Sequence, residues 1–153
     1  MKKVTRAVNP APSAEASPSM LVWTPMSCSV TEFMFAANQV VGDVHIPQAA
    51  GYQQHTTEEV GEMAEAFRQF QVQPTPTNAL KVADAACDTI YCALGLLHSI
   101  GVDAEHAFWL VHKANMNKCA ENGRFETTPF GKIKKPAGWE APNLSSALLE
   151  CWK

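Results

Sequence analysis

The stretch NALKVADAACDTIYCALGLLHSIG, residues 78–101, decides the fold class of this chain. Its apolar residues fall on nearly every side of a helical wheel, so it is predicted to form a central, buried helix. Gly101 is expected to end this helix. Asp84 and Asp88 interrupt the apolar surface, and their spacing of four residues places both carboxylates on one helix face, about a turn apart.

Three further helices are predicted around this one, because apolar residues recur elsewhere with helical spacing. An S-x-x-E capping box from Ser29 to Glu32 is expected to begin the first helix, and Asp103 to cap the last. Pro47 is expected to lie in the connector before the second helix. The four predicted helices cover about residues 30–41, 55–71, 78–100 and 104–121. No segment shows sustained alternation of apolar and polar residues, so the fold class is all-α, with a four-helix-bundle-like protomer.

The regions flanking the helices differ from them in composition. Residues 1–28 are rich in Pro, Ala and Ser, and they are predicted to form a flexible N-terminal tail. The main helical domain is then expected to cover residues 29–122. Residues 123–153 are expected to form a C-terminal loop and a short segment that pack on the same domain. In the fourth helix, Phe108 is expected to face inward and Trp109 to pack in the core.

Composition restricts the class of protein. The chain has 153 residues, of which 46% are hydrophobic and 18% charged, as expected for one compact globular domain. Its net charge of -3 argues against binding to nucleic-acid polymers or anionic membranes, which need excess positive charge. No run approaches the roughly 18 apolar residues of a membrane span, and no apolar segment of a secretory signal follows the basic start. None of the five cysteines lies in a CxxC motif, so reduced thiols and a cytoplasmic location are expected.

The carboxylates of the third helix need compensation from outside that helix. Two like charges on an apolar helix repel each other and lose hydration, and Lys81 is the only cation on that helix. If the second helix packs antiparallel to the third, its acidic residues can face this pair. These residues are Glu58, Glu59, Glu62 and Glu65. Carboxylates that converge in an apolar setting require a divalent cation, and hard oxygen ligands select Mg²⁺ or Mn²⁺.

An alternative explanation of the glutamates stays open at this point. Most of them lie opposite the apolar face of their own helix, where solvated side chains usually lie. Glu59 also fits a capping box with Thr56. On this interpretation the chain is a non-enzymatic or inactive helical interaction module. A di-iron carboxylate bundle ranks last, because it requires two E-x-x-H motifs that the chain lacks.

The acidic motifs also resemble those of a known superfamily. EEVGE, residues 58–62, has the form E-E-x-x-E, and DAACD, residues 84–88, is a D-x-x-x-D variant of a second motif. In this order and spacing they are similar to the all-α nucleoside triphosphate pyrophosphohydrolases, which include MazG, the dimeric dUTPases and the phosphoribosyl-ATP pyrophosphohydrolases. The likeness is strongest to phosphoribosyl-ATP pyrophosphohydrolase-like proteins of phages and bacteria, and it covers about residues 30–144. The usual second motif, E-x-x-D, would place Glu at position 85, where this chain has Ala85; Asp84 is expected to replace that ligand.

The resemblance implies hydrolysis of a nucleoside triphosphate, or a related nucleotide, to the monophosphate and pyrophosphate. The cofactor that it implies is Mg²⁺, with Mn²⁺ as a substitute, which would neutralise phosphate oxygens and activate a water molecule. The metal ligands that it implies are Glu59, Glu62, Asp84 and Asp88. The general base is Glu58 or Glu59, and the number of metal ions stays open.

The resemblance also implies residues that bind the substrate. Asn115 and Lys118, one turn apart on the fourth helix, are expected to contact the nucleotide. Lys132 and Lys134 in the C-terminal loop are expected to contact phosphates, with the adjacent Lys135 as a further candidate, although a plain surface charge run explains them nearly as well. Trp139 is a candidate to stack on a base. The protomer is expected to form a homodimer or homotetramer whose sites are shared between subunits.

Overall fold

The computed structural model describes residues 25–119 and 123–153, and the regular structure of these residues is helical. The four α-helices are α1 (Met26–Ala36), α2 (Ile46–Val72), α3 (Pro76–Ser99) and α4 (Ala104–Met116). Two 3₁₀ turns follow, at Ser145–Ala147 and Glu150–Trp152. Within the described residues there is no β-strand, only four isolated antiparallel bridges. The predicted all-α, bundle-like fold is confirmed.

Helix α1 begins and ends earlier than the sequence pattern indicates. It starts at Met26, so Ser29 lies inside the helix and the expected capping box with Glu32 is wrong. Pro25 precedes the first helical residue, and its carbonyl accepts the first hydrogen bonds of the helix. Soon after the helix ends, Asn38 adopts a left-handed conformation with φ of 55°, which turns the chain toward α2.

Helix α2 begins at Ile46, nine residues before its predicted start. Pro47 therefore lies in the first turn of the helix rather than in the connector, a position where its missing N–H group would be unpaired in any residue. The Nδ1 atom of His45 caps this end by accepting a backbone N–H at 3.2 Å. Thr56 lies in the helix interior and donates its hydroxyl to the backbone one turn back, so its capping box with Glu59 is also wrong.

Helices α2 and α3 form a long antiparallel hairpin. A short connector, residues 73–75, joins them at one end. Near the other end, Nε2 of Gln48 donates to Oγ of Ser99 at 2.7 Å. Between these points the ring of Tyr52 lies directly against Gly95, where a Cβ atom would come within 2.6 Å of ring carbon Cδ1. Only glycine permits the two helices to approach this closely around the tyrosine ring.

The core lies at the end of the hairpin that α1 covers. Val30 and Met34 of α1 are almost fully buried, and they pack with Tyr52 and partly buried apolar residues of α3. The opposite end of the hairpin is uncovered, and Leu80 is 71% exposed. The prediction of a wholly buried third helix is therefore wrong for the first half of α3, because residues 76–84 are all exposed or half-buried.

Helix α4 turns small rather than large side chains inward. Its buried residues are Ala104, Ala107 and Ala114. Phe108 is 71% exposed and Trp109 is 52% exposed, so the expectation that they face the core is wrong. The alanines allow the helix to lie close to its neighbours, and this orientation directs the aromatic residues outward.

A C-terminal strap, residues 145–152, crosses the turn between α3 and α4. Its backbone pairs with the carbonyl of Gly101 at 3.0 Å and with the N–H of Asp103 at 2.9 Å. The Nε1 atom of Trp152 donates to the carbonyl of Ile100 at 2.7 Å. The Asp103 side chain caps α4, as predicted. The strap therefore fixes the start of α4 relative to the end of α3.

Some predictions fall on residues outside the described ranges. Residues 1–24, most of the predicted tail, and residues 120–122, which include the predicted end of the fourth helix, are among them. Helix α4 ends at Met116, and the described residues 117–119 are not helical, so the predicted fourth helix is too long. The domain boundaries at 28 and 122 stay predictions. No helix in the described ranges is both long and apolar enough to cross a membrane.

Candidate metal and nucleotide site

The packing of Tyr52 against Gly95 sets the register that brings acidic residues together. Glu59 lies seven residues after Tyr52, and Asp88 lies seven residues before Gly95, so each is two helical turns, or about 10 Å, from the contact. In an antiparallel pair these positions face each other. Loss of solvent, followed by the nearby charges of Glu62 and Asp88, raises the pKa of Glu59. Glu59 therefore lies within electrostatic reach of acidic residues on both helices.

An open groove between α2 and α3 adjoins this position. Its volume is about 430 Å³, within the range of small-molecule sites. Its charged lining residues are Glu62, Glu65, Lys81, Asp84 and Asp88. The structure thus brings three of the four predicted metal ligands to one groove and places the fourth, Glu59, beside it.

The carboxylates of this groove differ in their partners. Glu65 forms an ion pair with Arg68 and accepts a hydrogen bond from Nε2 of Gln69 at 2.9 Å. Lys81 donates to Oε1 of Gln69 at 3.2 Å. In the part of the chain that the structure describes, no ion pair involves Glu62, Asp84 or Asp88. The charge of Glu65 is therefore compensated locally. Glu62, Asp84 and Asp88 are exposed to solvent instead, so the expected loss of hydration at Asp84 and Asp88 is wrong for the single chain.

Glu58 does not line the groove, and its carboxylate is hydrogen-bonded to residues of its own helix. One carboxylate oxygen accepts from Nε2 of Gln54 at 2.9 Å, and the other lies 3.2 Å from Nδ1 of His55. These two hydrogen bonds lower the pKa of Glu58. Of the two adjacent glutamates predicted to be catalytic, the structure therefore brings Glu59 toward the acidic groove and engages Glu58 with polar neighbours on its own helix.

The donor chemistry of the groove fits a hard divalent cation. Carboxylate oxygens are the ligands that Mg²⁺ prefers, and a cation would relieve the repulsion that, after loss of solvent, contributes to the raised pKa of Glu59. No three acidic, His or Cys side chains of the described residues already surround one point in ligand geometry. The side chains of Glu62 and Asp84 are exposed, however, so rotation about their bonds can bring their oxygens together. Ala85 is buried and supplies no ligand.

The predicted substrate residues of α4 lie beside Trp139. Nζ of Lys118 donates to Oδ1 of Asn115 at 2.6 Å, and it lies 5.1 Å from the centroid of the Trp139 ring. Nε1 of Trp139 donates to the carbonyl of Ala114 at 2.8 Å. Nζ of Lys135 lies 4.2 Å from the same ring. Sequence reasoning named these residues singly but did not predict their mutual contacts, because cation–π contacts between distant residues leave no spacing pattern.

The two predicted loop lysines lie in a bent segment beside this cluster. An isolated bridge joins Thr127 and Ile133, and the backbone N–H of Lys134 donates to the carbonyl of Glu126 at 2.8 Å. The side chains of Lys134 and Glu126 form an ion pair at 3.8 Å, whereas the side chain of Lys132 is exposed. No hydrogen bond or ion pair joins these lysines to the acidic groove among the described residues of one chain.

A recess on the other side of Glu59 was also missed by sequence reasoning. It lies between α1, α2 and α3, with a volume of about 420 Å³. Its lining residues are Phe33, Gln39, Gln48, Gly51, Tyr52, His55, Tyr91 and Cys92. Burial, followed by the charges of Glu59 and Asp88, raises the pKa of the Cys92 thiol, so the recess adjoins the acidic residues. An aromatic recess beside a carboxylate groove can hold a flat ring next to a metal-bound phosphate chain.

Comparison with known proteins identifies the family. A family model described as phosphoribosyl-ATP pyrophosphohydrolase matches residues 31–115, more than half of the chain. This range contains both acidic motifs and Asn115. No curated protein matches the chain significantly. The family match supports a hydrolase activity of the nucleotide pyrophosphohydrolase type. The chain belongs to the phosphoribosyl-ATP pyrophosphohydrolase family.

Proposed function

We propose that the protein hydrolyses a nucleoside triphosphate, or a related nucleotide such as phosphoribosyl-ATP, to the monophosphate and pyrophosphate, with Mg²⁺ as cofactor and Mn²⁺ as a substitute. One observation carries this proposal: carboxylates from α2 and α3 meet at a single groove inside the range that the family model matches. An acidic groove repels a polyphosphate, so a substrate of this class requires a divalent cation between them.

In the proposed reaction the protein supplies metal ligands and a proton acceptor. Glu59, Glu62, Asp84 and Asp88 would hold Mg²⁺, which when bound neutralises phosphate oxygens and lowers the pKa of water. The oxygen of a water molecule forms a bond to the α-phosphorus, and the bond from that phosphorus to the bridging oxygen breaks. Pyrophosphate leaves, and a carboxylate accepts the proton of the water. Glu59 is better placed for this than Glu58, whose two oxygens already accept hydrogen bonds.

The remaining parts of the nucleotide have complementary surfaces nearby. We propose that the base occupies the aromatic recess, where the rings of Phe33 and Tyr91 pack edge to face with centroids 5.5 Å apart. The Tyr52 hydroxyl donates to Oε1 of Gln39 at 2.6 Å, which leaves the amide nitrogen of Gln39 to read the edge of the base. The proposed phosphate contacts are Asn115, Lys118, Lys132 and Lys134.

Assembly into a homodimer or homotetramer is also proposed. The uncovered end of the hairpin exposes large apolar side chains from both helices, an arrangement typical of an interface. These side chains are Val60, Phe67, Val72, Leu80 and Ile90. The proposal explains how the lysines of one chain can reach an acidic groove, because a second chain can supply that groove.

The oligomer proposal predicts a difference between two substitutions. Leu80→Glu should dissociate the assembly, because a charge at the hairpin face would be buried without a partner. Phe130→Glu is the control, since Phe130 is 97% exposed on the C-terminal loop, and it should leave the mass unchanged. Sedimentation velocity at micromolar concentration measures both variants. A monomeric wild-type chain would contradict the proposal.

The activity is tested by measuring pyrophosphate release from a panel of nucleotides with Mg²⁺ and with Mn²⁺. Glu62→Gln should lower kcat/KM for the best substrate by at least about a hundredfold, since even outer-shell residues of metal sites are worth about 10- to 100-fold. Glu65→Gln is the matched control on the same helix. Its carboxylate is already bonded to Arg68 and Gln69, so activity should change by less than about threefold.

A negative result would have a definite meaning. If divalent ions change neither turnover nor the melting temperature, the groove does not bind a catalytic metal. The chain would then be a helical interaction module whose acidic residues serve only to solvate it.

A further inference from the structure

Two lysines from separate parts of the chain share one aromatic ring. Nζ of Lys118, at the end of α4, and Nζ of Lys135, in the C-terminal loop, both lie within 5.1 Å of the centroid of Trp139. The ring is itself anchored, because its Nε1 atom donates to the carbonyl of Ala114 at 2.8 Å. One tryptophan, held by the backbone of α4, therefore keeps one ammonium group from each part of the chain within about 9 Å of the other.

Neither ammonium group has an acidic partner among the described residues. Lys118 donates to the neutral amide of Asn115, which leaves Nδ2 of Asn115 as a further donor. Lys135 has the ring of Trp139 as its partner. The adjacent Lys134 differs, because its charge is paired with Glu126 at 3.8 Å. Two positive charges held within about 9 Å of each other without a carboxylate repel each other, and a polyanion long enough to reach both would stabilise the arrangement.

The distribution of charge along the chain supports an anion at this end of the molecule. Residues 104–140, from the start of α4 through the C-terminal loop, contain six Lys and Arg and four Glu, although the whole chain has a net charge of -3. Residues 46–99, which hold the acidic groove, contain two Lys and Arg and six Asp and Glu. A polyanion is therefore attracted to the α4 end of the protein and repelled by the hairpin.

We infer that Trp139 is a positioning residue that holds Lys118 and Lys135 as a paired ammonium site for the condensed phosphate chain of the substrate. This inference rests on the proposed function; it pairs Lys135 with Lys118 and assigns to Trp139 the role of holding both. A di- or triphosphate offers oxygens to both ammonium groups at once and carries more charge than a single phosphate. The Asn115 amide supplies a donor beside them.

The test measures binding of inorganic tripolyphosphate, pyrophosphate and phosphate to the full chain by isothermal titration calorimetry, with Mg²⁺ at fixed ionic strength. Lys135→Met and Trp139→Leu should each weaken tripolyphosphate and pyrophosphate binding about five- to tenfold, the size expected for loss of one charge-assisted contact. Phosphate binding should change by less than about twofold. In the pyrophosphate-release assay the same variants should raise KM by a similar factor and leave kcat nearly unchanged.

Coupling between the residues separates positioning from a general structural effect. In the Trp139→Leu background, Lys135→Met should cause little further loss, because the lysine is no longer held in place. The matched control is Lys113→Met, which removes a cation that lies 5.4 Å from the centroid of Trp109 on the same helix. It should change binding by less than about twofold. Circular dichroism melting establishes that each variant is folded.

Several outcomes would overturn the inference. Unchanged binding in Trp139→Leu, additive losses in the double variant, or an equal loss in Lys113→Met would each show that Trp139 does not position a specific site. A nucleoside triphosphate analogue with a non-hydrolysable α–β bridge separates substrate from product. If its affinity is unchanged while that of pyrophosphate falls, the site takes the product and the inference is wrong.

The failure of this inference is distinguishable from that of the proposed function. If the wild-type chain releases pyrophosphate and the Lys135 and Trp139 variants keep its KM, the inference fails and the proposed function stands. If no nucleotide is hydrolysed but the calorimetric losses appear as expected, the condensed-phosphate site stands and the proposed function fails.

Discussion

Replacing Gly95 by Ala is expected to destabilise the protein, although alanine is the better helix former. An added Cβ would lie 2.5 Å from Cζ and 2.6 Å from Cδ1 of Tyr52, so the ring must move. Overpacking of this kind costs about 1–3 kcal/mol, and movement of the ring breaks a hydrogen bond to Gln39 worth about 1 kcal/mol. The gain in helix propensity offsets about 1 kcal/mol. The free energy of unfolding should therefore fall by about 1–3 kcal/mol.

Urea denaturation at one protein concentration, followed by circular dichroism, measures this change. Gly51→Ala is the control, because no atom lies within 4 Å of a Cβ at that position in the interior of α2; it should stabilise by about 0.5–1 kcal/mol. With Tyr52→Ala in the background the obstruction is gone, so Gly95→Ala should become stabilising by up to about 1 kcal/mol. A neutral or stabilising Gly95→Ala in the wild-type chain would refute the argument that this contact limits the approach of α2 and α3.

Two further predictions concern the hairpin. Ser99→Ala removes the hydroxyl that accepts a hydrogen bond from the amide of Gln48 at a fully buried position. The free energy of unfolding, measured by urea titration, should therefore fall by about 1–3 kcal/mol. No change would show that water replaces the hydroxyl. Loss of solvent, followed by the charges of Glu62 and Asp88, raises the pKa of Glu59 above its ordinary value of 4.5, so its ionisation opposes folding. In metal-free buffer, the free energy of unfolding of Glu59→Gln should therefore increase relative to that of the wild type as pH rises from about 4.5 through the raised pKa. Mg²⁺ should reduce this difference between the two proteins. A difference independent of pH would contradict the assignment.

Helical periodicity was sufficient to predict the existence and order of all four helices, but it was less informative about their ends. Pro25 and Pro47 both lie at helix starts, where proline is tolerated. Pro47 was expected to lie in a connector instead. The two predicted capping boxes are wrong for a related reason. Ser29 and Thr56 lie inside helices, and each has only the residue spacing of a capping box. By contrast, Asp103 caps α4 as predicted. It follows Gly101 in the short connector after α3, so its side chain lies before a helix rather than inside one.

The candidate site was partly predictable. Spacing predicted that Asp84 and Asp88 share one helix face. Antiparallel packing predicted that acidic residues of α2 face them, and acidic residues of both helices do line one groove. Whether Glu58 or Glu59 faces that groove depends on the rotation of α2, which the fit of Tyr52 against another helix decides. Such a fit is tertiary, so no local pattern in the sequence encodes it. The metal ligands themselves stay a prediction.

The same limit applies to the tryptophans. Trp109 and Trp139 are equally apolar in sequence, yet the first is half exposed on α4 beside His106, and the second is anchored by its indole nitrogen to Ala114. Their difference comes from the inward-facing alanines of α4 and from the path of the C-terminal loop. The hydropathy of the sequence predicts neither the inward orientation of the alanines nor the path of the loop, because both depend on which segments pack together in the fold.

The C-terminal strap has a consequence for any attempt to express a shorter fragment. The range that the family model matches, residues 31–115, contains all of α2, α3 and nearly all of α4, but it lacks residues 145–152. A fragment cut to that range would leave the carbonyl of Gly101 and the N–H of Asp103 without their backbone partners. Amide hydrogens at the α3–α4 turn should then exchange faster with solvent. The range of sequence similarity is therefore narrower than the set of residues that hydrogen-bond to hold the α3–α4 turn.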